Sequence, residues 1–571
     1  MSRLVSKIWK PALTVLLGVA AFLFWWLRYP HALAFQEQWQ LFLFEGDYLA
    51  SRLSEPGGVA RYVAEFLVQF FNNVMSGALI LALLYMLIQR MTWRLMKPAA
   101  DCWYPLSFVP VMMTWMLQGD EQVMPTFLVA LALMLAAMLA WPKRTFPRMA
   151  YVVIGIPLLY WMIGPLVLFV AIYMAFSGQK SAKNLVWGAV AVVYVIACVW
   201  ISSLILPYPL FRLTMGLSFY RDVVSLPYLM LAIPTVNLLL AVLGTLLHEY
   251  RRPKAILAGT FVLLVALVVI LPSCYDQRKY DLIEYDYLVR LNRWDDIIAK
   301  STQRQPDLPM SVCATNLALG MKGELGEKAF DFYQNGVGGL LPAFERNFNT
   351  LPLTGEAYFQ LGLVNTAQRF SFEAMEALPN YNKSARSVKR LAETNLINGQ
   401  YDVAEKYLRM LEKTIFYRNW AKRTETLLRN EQLINEHPLY GKMRRMRLDE
   451  DFLFSESEID KICGRLYIHD NGNQLAMQYL LMCPLLEGNI NKFMDYLPIV
   501  QEKMNYNPRV CQEALAYVFM RNNKTPPAHL VSPMVQQQLA KFMQAYRDCG
   551  GKKSAMGGYQ HTLWYYLIGD N

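Results

Sequence analysis

Long apolar runs recur from residue 11 to residue 272, and no other feature of the sequence constrains the fold as strongly. About 20 apolar residues in a helix span the hydrocarbon core of a bilayer, and a helix satisfies its own backbone groups where no water can. Runs of this kind lie near 11–28, 72–89, 103–117, 122–141, 150–163, 165–177, 185–205, 227–247 and 255–272. The expectation is a polytopic helical domain of about nine spans. The third, fifth and sixth runs are short and carry Pro105, Pro110, Pro157 and Pro165.

Charge is distributed to match. Residues 1–272 hold 19 Lys and Arg against 10 Asp and Glu, and the remainder holds 36 against 34, so the net charge of +11 belongs mostly to the apolar half. The basic clusters are Arg3, Lys7 and Lys10; Arg90, Arg94 and Lys97; Lys143, Arg144 and Arg148; Lys180 and Lys183; and Arg251, Arg252 and Lys254. They fall on alternate connections, which is the positive-inside pattern. Nine spans then leave the N-terminus in the cytoplasm and the C-terminal half outside a plasma (inner) membrane. Basic residues set between apolar spans form no nucleic-acid face, so no nucleic-acid partner is expected, whereas membrane lipids are. With 55% apolar and 17% charged residues the chain is neither a disordered protein nor an ordinary soluble enzyme. The first run ends Phe22-Leu23-Phe24-Trp25-Trp26-Leu27-Arg28, without a small-residue cleavage site, and reads as a retained helix.

The pattern changes near Leu271-Pro272-Ser273, giving a membrane domain at 1–272 and a polar domain at 273–571. Beyond Tyr275 the sequence is amphipathic and helical. Turns recur at Leu291–Ile298, Met321–Ala329, Leu396–Leu408 and Leu486–Phe493, each joining two helical patterns through Gly or Asn. They resemble the helix–turn–helix unit of tetratricopeptide repeats, which implies an α-solenoid whose concave face would take a protein or peptide partner. The fold class expected for the whole chain is therefore all-α. Of eight cysteines six lie at or beyond Cys274, and six allow 15 disulfide pairings. The histidines at 31, 248, 437, 469, 529 and 561 are scattered, no HExxH or CxxC occurs, and neither a metal site nor a cofactor is expected.

The carboxylates of the membrane half carry the chemistry. Asp101 and Glu249 map to the inner side; Glu37, Glu45, Asp47, Glu55, Glu65, Asp120, Glu121 and Asp222 map to the outer side. Acidic residues contribute little to insertion topology, so this bias needs another cause. Five of them occupy the amphipathic loop 29–71, where Pro56-Gly57-Gly58 separates two short helical patterns expected to lie along the membrane surface. Glu65, on the second of these, is expected to be remote from the chemistry.

Glu37, then Gly46-Asp47, then Pro56 in the first outer loop, followed by Gly119-Asp120-Glu121 in the second, resemble the GT-C glycosyltransferases. That family often has an Asp-Glu pair at its first site, whereas here Gln36 precedes Glu37. The resemblance covers roughly residues 1–210 and implies a polyprenyl-phosphate-linked sugar donor used at the outer face. It implies Glu37 as general base, Asp47, Asp120 and Glu121 as base or positioning groups, and a cation on the departing phosphate. Arg212 and Arg221 lie in the outer loop 207–227 and are the candidates for that contact. The competing class is a non-enzymatic, membrane-anchored repeat scaffold for an envelope assembly. A transporter would place ionisable groups within its spans, and these spans are nearly free of charge.

Overall fold

The computed structural model describes residues 3–97, 100–142, 144–177, 182–222, 225–244, 247, 253–345, 347–379, 382–448, 458–502 and 506–568. Lys143, Lys180, His248, Glu249, Arg251 and Arg252 lie outside the described residues. Among the described residues every regular element is helical, and extended backbone pairs only at the antiparallel bridge Val123–Tyr220. The chain divides into two compact units. One is Met1–Tyr280 with Leu378–Ala385 and Met410–Asn419, and the other is Asp281–Ala377, Arg386–Arg409 and Trp420–Asn571.

The first unit is built from α1 (Arg3–Leu23), α2 (Pro30–Glu37), α3 (Gly46–Leu53), α4 (Gly58–Val68), α5 (Val74–Met96), α6 (Val109–Leu117) and α7 (Thr126–Leu139). It continues with α8 (Thr145–Ala150), α9 (Ile156–Ile163), α10 (Val167–Phe176), α11 (Ala182–Ile205), α12 (Leu210–Met215), α13 (Tyr228–Leu243) and α14 (Pro253–Ile270). Five segments are long and apolar enough to cross a membrane: Ile8–Arg28, Val74–Met96, Pro147–Phe176, Lys183–Ile205 and Ile256–Cys274. The apolar helices α7 and α13 are shorter. Two expected spans, 150–163 and 165–177, fall within the single stretch Pro147–Phe176, which breaks at Gly164 (φ +61°). The expected span at 103–117 is a 3-10 segment, Asp101–Phe108, followed by α6, because Pro105 and Pro110 interrupt regular hydrogen bonding.

Polarity in this unit is turned inward. On α5, Met75, Leu79, Leu83 and Leu87 are exposed at four-residue spacing, while Gln89 and Thr92 are buried. Thr14 donates to Gln89 Oε1 (2.9 Å), Gln89 Nε2 donates to Ser107 Oγ (2.7 Å), and Thr92 donates to Asn237 Oδ1 (2.8 Å). Hydrocarbon-facing helices satisfy polar side chains against one another in this way. Lys10 pairs with Asp101 (2.5 Å), and Arg148 donates to Asn184 (2.8 Å).

The second unit is made of helix pairs. Helix ends close through residues of left-handed backbone at Asn292, Gly323, Gly362, Gly399, Gly488 and Asn523. At each, an N–H one residue further on reaches back five positions, as in Glu324 to Leu319 O (2.8 Å) and Gln400 to Asn395 O (2.8 Å), the Schellman closure. The helix Gln474–Leu486 packs against Pro309–Lys322 through Gln478, whose Nε2 donates to Gly320 O (2.9 Å) and whose Oε1 accepts from Leu325 N (3.2 Å). This contact joins segments distant in sequence, where an open linear array would make only neighbouring ones. Cys313, Cys463, Cys483 and Cys511 are buried.

Candidate functional site

Three loops of the first unit converge on one guanidinium. The bridge Val123–Tyr220 pairs the turn after α6 with the loop before α13; Arg221 N donates to Gln122 O (3.0 Å) and Met124 N to Phe219 O (2.9 Å). This backbone pairing fixes Arg221 beneath the end of α2. Its Nη1 donates to Glu121 O (2.5 Å), its Nη2 donates to Gln36 Oε1 (2.7 Å), and its plane lies 3.7 Å from the centre of the Trp39 ring. Gln36 Nε2 in turn donates to Glu121 O (3.2 Å), so the 29–71 and 207–227 loops share one acceptor.

Arg221 is 3% exposed, and no carboxylate among the described residues lies within ion-pair distance of it. Its Nε is buried without a hydrogen-bond partner there. Burial pushes the Arg221 guanidinium well below its usual value, and the charges of Glu121 and Asp120 offset this only in part. The site therefore disfavours an isolated cation and would be stabilised by an anion.

The second acidic motif is committed to neighbours. Glu121 is 4% exposed and Lys279 Nζ lies 2.8 Å from its Oε1. Burial lowers the Lys279 ammonium, but the hydrogen bond and charge of Glu121 outweigh it and the net shift is upward. Asp120 Oδ2 accepts from the Tyr220 hydroxyl (2.7 Å) and its Oδ1 accepts from Gln122 N (2.9 Å). Burial, reinforced by the bond to Asp120, raises the Tyr220 phenol. Gly119 lets this turn pass under the 271–275 segment: a Cβ there would sit 2.6 Å from Cys274 O.

Glu37 ends α2 and is 3% exposed. Its Oε1 accepts from the Tyr417 hydroxyl (3.0 Å), and Asn72 Nδ2 donates to the Tyr417 oxygen (3.0 Å). Its bonded neighbours thus differ from those of Arg221. Asp47 is exposed in the first turn of α3, and no hydrogen bond joins it to Glu37, Asp120 or Arg221. Arg212 is 7% exposed and donates to Asp222 O (3.3 Å) and Leu217 O (3.2 Å), bracing the loop that carries Arg221. The structure therefore joins Asp120, Glu121 and Arg221 in one cluster, sets Glu37 one residue from its Gln36, and gives Asp47 and Arg212 other surroundings.

Two readings of the 29–71 loop change. Every residue of α2 from His31 to Glu37 is buried, so α2 is an interior helix where a surface one was expected. Glu65 is 0% exposed where a carboxylate on a surface helix was expected. It meets Arg52 Nε (2.8 Å) and Arg61 Nε (3.0 Å) and accepts from the Tyr48 hydroxyl. Arg61 also pairs with Glu55 (2.6 Å), and Asn382 Oδ1 accepts from Arg61 Nη2 (3.0 Å). Gly57, at φ +80°, makes the reversal between α3 and α4 that brings these four charges together.

The partners missed in the sequence are Gln36, Trp39, Lys279, Tyr417 and Asn382, which are ordinary residues until the fold brings them to the charges. Among the described residues no group of three or more His, Cys, Asp or Glu is placed to hold a metal ion. No curated protein matches the chain. No solved structure matches it either. A family of unknown function, DUF6057, matches residues 5–569, and the chain belongs to that family.

Proposed function

We propose that the chain is a multi-pass plasma-membrane protein with nine crossings and a cytoplasmic N-terminus. In this reading the face bearing Glu37, Glu121 and Arg221 is extracytoplasmic, and residues 273–571 form a degenerate tetratricopeptide-like solenoid on the same side. The outer face is a GT-C-like glycosyltransferase site that takes sugar from a polyprenyl-phosphate donor. One observation carries this reading: a buried arginine, held by both outer loops and stacked on Trp39, has no carboxylate within ion-pair distance among the described residues. The phosphate of a lipid-linked sugar is an anion suited to it, and the apolar faces around would accommodate the lipid chain. Glu37 takes the proton from an acceptor hydroxyl as its oxygen bonds to the anomeric carbon, and the polyprenyl phosphate leaves with the glycosidic electron pair. Asp47, Asp120 and Glu121 serve to position substrate, and Arg212 supports Arg221.

A second reading, a non-enzymatic scaffold with a partner on the repeat domain, is favoured by one feature. Asp120 and Glu121 already have close partners in Tyr220 and Lys279. Glu37→Gln and Arg221→Gln separate the two readings when turnover of a labelled polyprenyl-phosphate sugar is followed in membranes. The transferase reading expects losses on the order of 10²–10⁴-fold with unchanged abundance of the Glu37 variant. Wild-type turnover in both variants, with a phenotype only on removal of residues 273–571, would leave the scaffold.

A further inference from the structure

Helices α3 and α4 are inside out. Beyond the exposed Asp47 in the first turn of α3, their charged residues Arg52, Arg61 and Glu65 are at most 8% exposed, while Leu49, Leu53, Val63 and the neighbouring Phe44 are 37–46% exposed. A helix lying on a protein in water shows the opposite arrangement. The segment Met410–Asn419, part of the same compact unit, adds Ile415 and Phe416 to these outward apolar groups at 40% and 36% exposure.

That segment is firmly held. Phe44 N donates to Lys413 O (2.8 Å), Lys413 Nζ pairs with Glu45 (2.7 Å), and the Tyr417 hydroxyl lies between Glu37 and Asn72. Phe416 meets the Phe70 ring at 5.6 Å, Phe70 meets Phe66 at 5.6 Å, and Phe66 meets Phe44 at 6.3 Å. Phe70 belongs to the turn Gln69–Asn72, which leads directly into α5. The exposed row Met75, Leu79, Leu83 and Leu87 thus lies on the helix that follows directly, through this turn, from the ring ladder ending at Phe416.

We propose that the Ile415–Phe416 tip and the outward faces of α3 and α4 form a lipid-binding surface, seated in the bilayer leaflet that adjoins the Gln36–Glu65 loop. Two features select phospholipid as the occupant. The ring ladder leads directly, through the Gln69–Asn72 turn, into a helix long enough to span a membrane. Directly after the tip, Arg418 of the same compact unit is exposed, where a long basic side chain meets headgroup phosphates while its apolar neighbours enter the acyl region.

Photocrosslinking tests this in the full-length protein in nanodiscs of phosphatidylethanolamine and phosphatidylglycerol. Benzoylphenylalanine replaces Ile415 or Phe416 in turn, with Met75 as a position facing hydrocarbon and Met534, 69% exposed in the other unit, as a position facing water. The expected result is a mass increase of one phospholipid on the 415 or 416 peptide, as on the Met75 peptide and not on the Met534 peptide. Lipid adducts at Met75 alone, or crosslinks from 415 and 416 to another polypeptide, overturn the proposal. Absence of lipid adducts at Met75 as well removes the membrane reading and the proposal with it.

Discussion

Arg52 Nε lies 2.8 Å from Glu65 Oε2, an ion pair sealed beneath α3 and α4 although both residues come from the most polar loop of the membrane half. Glu65 takes Arg61 on its other oxygen and is 0% exposed, so its charge is compensated by two guanidinium groups and a tyrosine hydroxyl. Removing one member of a buried pair strands the others in a medium that solvates them poorly.

Glu65→Gln is accordingly expected to destabilise the protein by about 3–5 kcal/mol. The check is a thermal unfolding series in detergent, with Asn382→Ala, which removes only the hydrogen bonds its Oδ1 accepts from Arg61 and Arg52, costing about 1–2 kcal/mol for comparison. A Glu65→Gln midpoint equal to wild type would mean that the pair contributes nothing.

Arg221 offers a second stability test. Its two terminal nitrogens reach Gln36 Oε1 and Glu121 O in different directions while its plane lies on Trp39. A lysine keeps the charge but has neither the planar fork nor the stacking face. Arg221→Lys should therefore cost about 1–3 kcal/mol, and Trp39→Leu about half to 1 kcal/mol. Unfolding midpoints measured as above decide it; an unaffected Arg221→Lys protein would reduce the site to one of charge alone.

The all-helical class was legible because apolar runs of spanning length and amphipathic patterns of helical period both leave local signatures. The turns at Asn292, Gly323, Gly399 and Gly488 were legible too, since polar residues flank the left-handed position. Leu361-Gly362-Leu363 was not, being embedded in apolar sequence. The site was legible as residue types and loop positions. Its pairing was not: Arg221 with Trp39, or Glu37 with Tyr417, joins residues far apart in sequence. Glu65 misled for a related reason, because a carboxylate in a polar loop reads as solvated until its arginines fold over it.

A pH effect belongs to the second unit. Burial raises the Glu513 carboxyl to about 7, with the nearby Arg509 opposing and Asp331 and Glu327 reinforcing the shift. Its Oε2 accepts from Leu563 N (2.8 Å), and its backbone oxygen accepts from Trp564 Nε1 (2.8 Å). The folded state thus holds a proton that the unfolded state, with an ordinary value of 4.5, has released. Stability from this group is full below about pH 4.5, falls as pH rises toward 7, and is gone above it; the total is on the order of 2–3 kcal/mol. Glu513→Gln should flatten that slope. Protection factors at Leu563 and Trp564, from exchange corrected for the intrinsic base-catalysed rate at each pH, should be lower at pH 8 than at pH 5.5 in wild type and nearly equal in the variant.

Membrane topology gives the last prediction. A path using only the five long apolar segments and a path of nine crossings both bring the C-terminus to the same side, so a C-terminal reporter cannot separate them. Internal positions can. Five crossings would hold residues 97–146 and 206–255 in the cytoplasm and residues 177–182 outside, whereas nine crossings put 118–122 and 207–227 outside and 178–183 inside. The bonds from Gln36 to Glu121 (3.2 Å) and from Arg221 to Gln36 (2.7 Å) place those three residues at one end of the unit, which favours the longer path. Arg148 bonded to Asn184 (2.8 Å) favours it again, since these lie on the two connections that carry basic clusters. Alkaline phosphatase fused after Gln122, Phe211 or Asn571 should be active, and fused after Lys97 or Lys183 inactive. Activity after Lys183 with none after Gln122 and Phe211 would establish five crossings and place Glu121 and Arg221 in the cytoplasm. The site would then be severed from any donor used at the outer face.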